Sequence, residues 1–321
     1  MLTDAHCHPF DLVQYYPQME KERRRLGVLA AASAHTPEEL AHNEKLAQAA
    51  AADGCAALLP CFAIHPQQLE IRNEKLEVRS HSAEHCEPPF RLTFEIKDKI
   101  NHGEHGGFDT KTLFFSVNSV SSVVKNLKLK AGELFFNHQL EFLDLLAAGG
   151  RLSAVGEFGF DLFNAGFKET EAWQDRVFNA QMEIALRYNL PVVLHVRRAI
   201  HKIFAATKDL AKCKAVVFHS WSGTLEEGNS LLRRKVNAYF SFGAQVLNGH
   251  KKAQRSCALI PAERLLTETD APFQPPRGKP FSSWEDLPLI IDAIANFRGV
   301  DANELETRIE ENFKTVFTNS N

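Results

Sequence analysis

The stretch LSAVGEFGFD (residues 152–161) places a carboxylate, Glu157, at the end of a short run of small and apolar residues. Continuous runs of this kind are typical of parallel strands that are buried on both faces. A buried carboxylate is costly unless a cation or a hydrogen-bonding partner compensates its charge. The stretch therefore predicts a buried strand over Leu152–Glu157 whose last residue faces a functional site.

Seven further runs of the same type recur along the chain, with helix-like segments between them. They are Leu2–Cys7, Gly27–Ser33, Ala56–Ile64, Pro191–Val196, Lys214–His219, Asn237–Phe242 and Arg264–Glu268. Pro37–Ala52 begins with Pro and is rich in Ala, Leu and Glu, and Lys168–Tyr188 has apolar residues at helical spacing, so both are predicted helices. Eight strand–helix units in 321 residues predict an α/β fold, a (β/α)8 TIM barrel.

One interval is too long for this rhythm. His65, after the third run, and Glu157, in the fourth, are 92 positions apart (157 minus 65), where a helix and two short loops would suffice. We therefore predict one barrel domain over residues 1–321 with an insertion at approximately 72–132. Because it follows strand 3, the insertion is expected on the C-terminal face of the barrel.

The composition bears on the cellular location of the protein and on the class of substrate. The net charge of −3 gives no overall attraction to nucleic acid, so a DNA substrate requires a local basic surface. The six cysteines are scattered without a CxxC pair, and the apolar runs are only strand-sized. With no leader-like segment at the start, these features predict reduced thiols, a cytoplasmic location and no membrane span. The oligomeric state is not fixed by the sequence, which is compatible with a monomer.

Residues that bind metals stand at the ends of the predicted strands. The C-terminal ends of barrel strands all point at one face, so these side chains should converge there. Alternation along a strand places the two imidazoles of His6-Cys7-His8 on one side, with Cys7 on the other. Each histidine alone could be a satisfied core residue, but the set together predicts a two-metal hydrolytic centre. The predicted ligands are His6, His8, Glu157, His195, His219 and Asp270.

Other polar residues near these strand ends have predicted supporting roles. Asp4 is a candidate to accept a hydrogen bond from a ligand imidazole, although it could equally be an ordinary polar residue at the start of the strand, and Glu268 is expected to be structural. His65, before Pro66, is expected to contact the substrate phosphate or polarise the leaving group. Arg197 and Arg277 are candidate phosphate-binding residues, although each could equally be an ordinary surface charge.

The order of these motifs resembles the TatD family of metal-dependent deoxyribonucleases, within the amidohydrolase-like barrels. The matching stretches cover nearly everything except the insertion. They are DAHCH (4–8), AIHP (63–66), GEFGFD (156–161), LHVRRA (194–199), FHSWSG (218–223), LLTETDAP (265–272), RGKP (277–280) and ENFKTVF (311–317). The chain departs from the family pattern at Phe10, where the family usually has Asp, and at Gln67-Gln68, where a His often follows the HP pair.

The resemblance implies a TIM barrel with a dinuclear site and hydrolysis of DNA phosphodiester bonds. His6, His8, Glu157 and Asp270 would hold one divalent metal, and Glu157, shared, would hold the second with His195 and His219. The expected mechanism is attack on phosphorus by a water that two metals activate, with Asp270 as the base and Glu157 and His65 also catalytic. The ligand types do not distinguish Mg, Mn and Zn.

Two other functions remain open at this point. A small-molecule amidohydrolase could use the same dinuclear site on an amide, lactone or ester. That class often bridges its metals with a carboxylated Lys on strand 4, and Glu157 at this position favours the nuclease. A non-catalytic binding scaffold is disfavoured because every predicted ligand is present.

Overall fold

The computed structural model describes residues 1–69, 133 and 136–318. By packing, the chain divides into two units, Met1–Glu70 with Asn137–Asn321 and Ile71–Phe136, and the first of these is the barrel. The predicted insertion at about 72–132 lies outside the described residues and stays a prediction. Among the described residues, no helix is both long enough and apolar enough to cross a bilayer.

Eight strands pair in parallel, each with the next in the chain. Backbone hydrogen bonds from Asp270 to the His6 carbonyl and from His8 to the Ala271 carbonyl join the region after the last strand to the first. The predicted TIM barrel is therefore confirmed, and all eight predicted strands are present with small shifts in their ends. The strands are β1 Thr3–Cys7, β2 Leu29–Ala34, β3 Leu58–Phe62, β4 Ala154–Asp161, β5 Val192–Arg197, β6 Val216–Phe218, β7 Ala238–Phe242 and β8 Leu265–Thr267.

Helices cover the outside of the barrel. The predicted helix over Pro37–Ala52 is confirmed at both ends, with Thr36 accepting a hydrogen bond from the Glu39 amide as its N-cap. The predicted Lys168–Tyr188 helix is two helices, because the chain turns at Thr170. The helices are α1 Pro9–Tyr15, α2 Met19–Leu26, α3 Pro37–Ala52, α4 136–148, α5 Ala165–Glu169, α6 Glu171–Arg187, α7 Ile200–Ala205, α8 Thr207–Leu210, α9 Leu225–Arg233, α10 Lys251–Leu259, α11 Leu287–Arg298 and α12 Ala302–Phe317.

The barrel has an apolar core between sheet and helices and a second apolar cluster that includes small and branched strand residues. In the second cluster Val193 and Val217 pack with Leu266, and Phe313 and Phe317 of α12 close it. The predicted metal ligands lie elsewhere, at or near the C-terminal ends of the strands. The fold thus confines the site to one mouth of the barrel.

Candidate metal centre

All six predicted metal ligands meet at the C-terminal mouth, although they come from five strands or strand ends. The Nε2 atoms of His6 and His8 are 3.1 Å apart. Asp270 Oδ1 is 3.5 Å from the first of these nitrogens and 3.3 Å from the second. On the other side, His195 Nδ1 is 3.2 Å from His219 Nε2. Side chains separated by up to 264 positions therefore converge on one cluster.

Glu157 lies between these two groups, and its two oxygens face different partners. Its Oε2 atom is 3.1 Å from His6 Nε2 and 3.8 Å from His8 Nε2. Its Oε1 atom is 2.7 Å from both His195 Nδ1 and His219 Nε2. This division would let one carboxylate face two cations, so the shared role of Glu157 stays a prediction.

Irregularities in two strands bring these side chains into position. The pairing of β1 with β2 shifts between Asp4 and Cys7, and the pairing of β4 with β5 shifts between Gly156 and Phe158. Bulges of this kind re-aim side chains and are common next to active sites. His6 and Glu157 each lie within one of the two irregular stretches.

Gly159 allows β4 and β5 to approach closely beside the site. Its φ is +146°, and a Cβ atom at this position would lie 2.2 Å from the carbonyl oxygen of His195. Any larger residue would therefore push β5 away from β4. Gly159 consequently sets the separation between Glu157 and His195.

Asp270 is held at the seam between the last and first strands. It lies beyond β8 in a left-handed conformation with φ +55°, which is uncommon for a residue with a side chain. Its amide donates to the His6 carbonyl at 2.9 Å, and Gln274 Nε2 donates to its Oδ2 atom at 2.6 Å. These bonds direct Oδ1 toward the two imidazoles of β1.

The imidazoles are themselves oriented by further groups. Asp161 Oδ2 is 3.2 Å from His195 Nε2, and Glu268 Oε1 is 3.6 Å from His219 Nδ1 while it accepts the Ser220 amide at 2.6 Å. His6 Nδ1 instead lies 3.0 Å from the Ser33 hydroxyl. Hydrogen-bonding partners such as Asp161 and Ser33 fix the ring orientation of metal-binding histidines, whereas Glu268 acts on His219 by charge across a longer distance.

The predicted role of Asp4 is wrong. Its carboxylate accepts hydrogen bonds from the backbone amides of His6 and Thr269 and from the Thr269 hydroxyl, rather than from an imidazole. Burial raises the pKa of Asp4 to about 7, although these hydrogen bonds oppose the shift. Asp4 therefore ties β1 to the segment that carries Asp270.

Burial and charge act in opposite directions on the ionisable groups of the cluster. Burial favours the neutral forms of His195 and His219, but nearby carboxylates outweigh it and raise both pKa values, that of His219 well above the ordinary value. Burial would likewise raise the pKa values of Glu157 and Asp270, but the imidazoles outweigh it and lower both. Both carboxylates are thus held ionised.

Two residues of the mouth were missed by the sequence reasoning. His35 follows β2 and lies with its Nε2 atom 3.8 Å from Glu157 Oε2. Asp161 ends β4, which runs four residues beyond the predicted end at Glu157. The signals were present, since His35 follows an apolar run and Asp161 closes the quoted GEFGFD stretch.

Hydrogen bonds define the neutral tautomers of His35 and His65. The Nδ1 atom of His35 lies 3.1 Å from the Ala63 carbonyl, which can only accept, so Nδ1 carries the proton and Nε2 has a free lone pair. His65 Nδ1 accepts from the Gln67 amide, so its Nε2 carries the proton and donates toward Glu157 Oε1 at 3.4 Å. Burial lowers both pKa values, which favours these neutral forms.

The two predicted phosphate-binding arginines differ in position. Arg197 ends β5 on the same side as His195, with Nη1 3.9 Å from Asp161 Oδ2 and its guanidinium 3.6 Å above the Phe163 ring. Arg277 lies in the loop after β8, where its amide donates to Asn248 Oδ1 and its guanidinium to the Asn248 carbonyl. The geometry therefore brings Arg197, rather than Arg277, beside the cluster.

The donor set fits divalent cations. Four imidazole nitrogens lie 2.7–3.8 Å from the Glu157 oxygens, and Glu157 and Asp270 are buried yet held ionised. Three groups of donors are close enough to share an ion: His6–His8–Glu157, His6–His219–Asp270 and His65–Glu157–His195. The protonated Nε2 of His65 makes the third group a weaker candidate, because a metal ligand needs a free lone pair.

Comparison with known proteins decides the family. The model of TatD-related DNases matches residues 3–318. The chain belongs to the TatD-related DNase family. TatD of Escherichia coli K12, a 3′-5′ ssDNA/RNA exonuclease, is 36% identical over 181 residues, which are 54% of this chain and 68% of that protein. An uncharacterised metal-dependent hydrolase of Mycoplasma pneumoniae is 31% identical over 208 residues, 59% of this chain and 78% of that protein.

Solved structures show the same fold. The TatD homologue YjjV from Escherichia coli has a TM-score of 0.69 at 21% identity and covers 99% of this chain and 98% of its own. An uncharacterised amidohydrolase from Saccharomyces cerevisiae has a TM-score of 0.67 at 14% identity, with 98% and 99% covered. Membership of the TatD family confirms the prediction that the chain is a metal-dependent deoxyribonuclease.

Proposed function

We propose that this TatD-family protein removes nucleotides from the 3′ end of single-stranded nucleic acid, using two divalent ions bridged by Glu157. The supporting observation is the division of the Glu157 oxygens, with Oε2 toward His6 and His8 and Oε1 toward His195 and His219. The 3′-5′ direction and the choice of single strands are taken from the names of the curated relatives.

The two cations would use different residues. His6, His8, Asp270 and Glu157 Oε2 would hold the first, and His195, His219 and Glu157 Oε1 the second. When bound, two such ions supply activation of a water molecule and neutralise the charge that develops on the phosphate oxygens. The mixed imidazole and carboxylate donors are compatible with Mg, Mn or Zn.

Asp270 is the proposed base that accepts the proton of the attacking water. Its pKa is lowered, since the His8 hydrogen bond and the charges of His219 and His6 outweigh the effect of burial, so it is ionised and able to accept. Gln274 binds one of its oxygens at 2.6 Å. This contact fixes the carboxylate so that the other oxygen faces the cluster.

His65 and Arg197 are the proposed contacts to the phosphate and the leaving group. The Nε2–H of His65 is a donor at the mouth, and this side chain is 11% exposed. Such a donor can stabilise the charge on the departing oxygen. The guanidinium of Arg197 is partly exposed beside Asp161, where it can bind a phosphate oxygen. Arg277, in the loop that contacts Asn248, would bind a phosphate of the nucleic acid farther from the cluster.

A cytoplasmic location is also proposed. The five described cysteines, Cys7, Cys55, Cys61, Cys213 and Cys257, are all free thiols. Thiols that remain reduced are typical of cytosolic proteins.

The test uses linear single-stranded DNA labelled at either end and a circular single strand of the same composition. After chelation and return of Mg²⁺, Mn²⁺ or Zn²⁺, the wild type should shorten the linear strand from its 3′ end and leave the circle intact. Asp270→Asn should lower this activity by roughly 10²- to 10³-fold. Asp292→Asn, which changes an exposed carboxylate on α11, is the matched control.

Other outcomes would change the proposal in defined ways. Cleavage of the circle would show an endonuclease and contradict the 3′-end mechanism. Hydrolysis of amides, lactones or simple esters without cleavage of any DNA would favour the small-molecule hydrolase. Equal cleavage by wild type and Asp270→Asn would mean that Asp270 is not required.

A further inference from the structure

An exposed aromatic ring stands at the edge of the candidate metal centre. Phe273 follows Asp270 by three residues, and 46% of it is exposed to solvent. Its ring meets the ring of His8 edge-on, with centroids 5.2 Å apart and planes at 75°. An apolar surface in this position borders the predicted metal ligands of β1 while remaining accessible to a substrate.

The backbone holds Phe273 in place. The Phe273 amide donates to the Asp270 carbonyl at 2.7 Å, and the Phe273 carbonyl accepts a hydrogen bond from the Ser282 hydroxyl. The Ser282 amide also donates to the Pro272 carbonyl at 3.1 Å. The ring is therefore carried by the segment that positions Asp270, and its contact with the His8 ring places it beside the cluster.

Phe163 is a second exposed ring near the mouth, and its neighbours differ from those of Phe273. Its ring is 41% exposed but lies under two cations, with Arg197 at 3.6 Å and Arg198 at 4.6 Å. The face of the Phe163 ring is therefore already occupied by positively charged groups. The neighbours of Phe273 are a histidine ring and the Asp270 backbone, so its outer surface is suited to an uncharged planar partner.

We propose that Phe273 is the stacking platform for an unpaired nucleobase next to the phosphate that is cleaved. Every base has a π-face, so such stacking accepts any sequence. A base inside a duplex is already stacked on its neighbours and cannot lie on the ring. Phe273 would thus select single strands, an inference that rests on the proposed nuclease function.

The experiment compares Phe273→Ala with Phe297→Ala. Phe297 is 43% exposed and lies on the outer helix α11, so its replacement removes a similar ring far from the mouth. The substrates are single-stranded oligonucleotides that carry one abasic nucleotide, moved stepwise from the 3′ end. Phe273→Tyr tests rescue by another aromatic ring, and Phe273→Leu tests whether apolar volume alone suffices.

Phe273→Ala should lower kcat/KM on the intact oligonucleotide by roughly tenfold to a hundredfold, as expected for loss of one base–aromatic stack. Phe273→Tyr should restore the rate, whereas Phe273→Leu should stay as low as Phe273→Ala. The control Phe297→Ala should match wild type. When the abasic nucleotide occupies the position that stacks on Phe273, wild type should cleave that oligonucleotide only as fast as Phe273→Ala does. Phe273→Ala itself should cleave this abasic oligonucleotide as fast as the intact one.

An equal loss in Phe273→Ala on every abasic substrate would overturn the proposal, because it would show a general effect on the site. Unchanged kinetics would overturn it as well. If wild type cleaved no oligonucleotide, the proposed function would fail, and fluorescence anisotropy with a phosphorothioate oligonucleotide would test stacking separately. The stacking platform would then be supported if Phe273→Ala bound the intact oligonucleotide more weakly than wild type did but bound the abasic oligonucleotide equally well.

Discussion

The two sides of the Glu157 carboxylate are built differently. On the Oε1 side, His195 and His219 are each backed by a carboxylate, Asp161 at 3.2 Å and Glu268 at 3.6 Å. On the Oε2 side, His6 is backed by the hydroxyl of Ser33 at 3.0 Å. A carboxylate behind an imidazole makes the ring a stronger metal ligand than a hydroxyl does.

The pKa values of His6 and His219 follow this difference, whereas that of His8, also on the Oε2 side, is raised by Asp270 and Glu157 despite its burial. Burial lowers the pKa of His6, and the charge of Glu157 does not fully offset it. Burial acts on His219 as well, yet Glu157 and Glu268 raise its pKa well above the ordinary value. We therefore expect the Oε1 side to hold its cation more tightly, and the Oε2 side, which includes the proposed base Asp270, to hold the more exchangeable one.

The largest effect is expected from Glu157, which both sides share. Glu157→Ala should lose both cations and lower kcat by a factor on the order of 10³ or more, because a bridging ligand is removed from each. Metal content measured after desalting, together with the DNA assay, checks this. Glu226→Ala removes an exposed carboxylate on α9 as the control. Two retained ions per chain in Glu157→Ala would contradict the bridging role.

Replacing one ligand on each side separates the two positions. Asp270→Asn should retain the Oε1-side ion, and His195→Ala should retain the Oε2-side ion at reduced affinity. Each should lower kcat by roughly 10² to 10³, the range seen when one group that stabilises a transition state is lost. Calorimetric titration with Mn²⁺ counts the remaining sites. Loss of both ions in Asp270→Asn would show one cooperative site instead of two unequal ones.

The groups behind the imidazoles should have smaller effects. Glu268→Gln should weaken the Oε1-side cation by about tenfold to a hundredfold, as is usual for such partners. Ser33→Ala is the matched change on the Oε2 side and should weaken its cation only a few-fold. The measurement is the metal dissociation constant of each site. A larger effect of Ser33→Ala would reverse the expected order of the two sides.

The smallest effect is a dependence of metal stabilisation on pH. In the metal-free protein the pKa values of His8, His195 and His219 are raised above 6.5. Their protons stabilise that form fully below about pH 6.5, and this stabilisation is lost as the pH rises through the raised values. Metal must displace these protons, so its stabilising effect should grow with pH over the same window.

Thermal unfolding with and without metal at a series of pH values measures this effect. The gap in Tm should widen by roughly 2 °C or more per pH unit from about pH 6.5 upward. Glu157→Ala, without the shared ligand, should show little gap at any pH. A gap in wild type that stays constant would mean that metal binding releases no protons in this range.

The sequence predicted the barrel and the six clustered side chains because one rule governs both. Apolar runs mark buried strands, and a polar residue directly after such a run must find a partner at the mouth. Asp161 was missed because the predicted strand ended at Glu157, whereas β4 continues to Asp161. Phe158 and Phe160, which belong to this extension, pack into the apolar core. His35 was missed because a lone histidine after a strand carries little information without its neighbours.

Features that depend on three-dimensional register could not be read from the chain. The pairing shifts in β1 and β4, the left-handed backbone of Asp270 and the Gly159 contact are set by strands that pair across long sequence distances. The role of Asp4 was wrong for the same reason, since its partner Thr269 lies 265 positions away. The insertion and the individual catalytic roles stay predictions.

The hydrogen bonds between the segment after β8 and β1 have a consequence for how the protein is made. His6 and His8 are translated long before Asp270, which meets them but lies 264 and 262 positions further along the chain (270 minus 6 and 270 minus 8). Domains are synthesised and begin to fold from their N-terminal side, so His6 and His8 are present before Asp270 has been made. Binding of an ion on the Oε2 side therefore requires that synthesis has passed Asp270 and that the segment after β8 has joined β1.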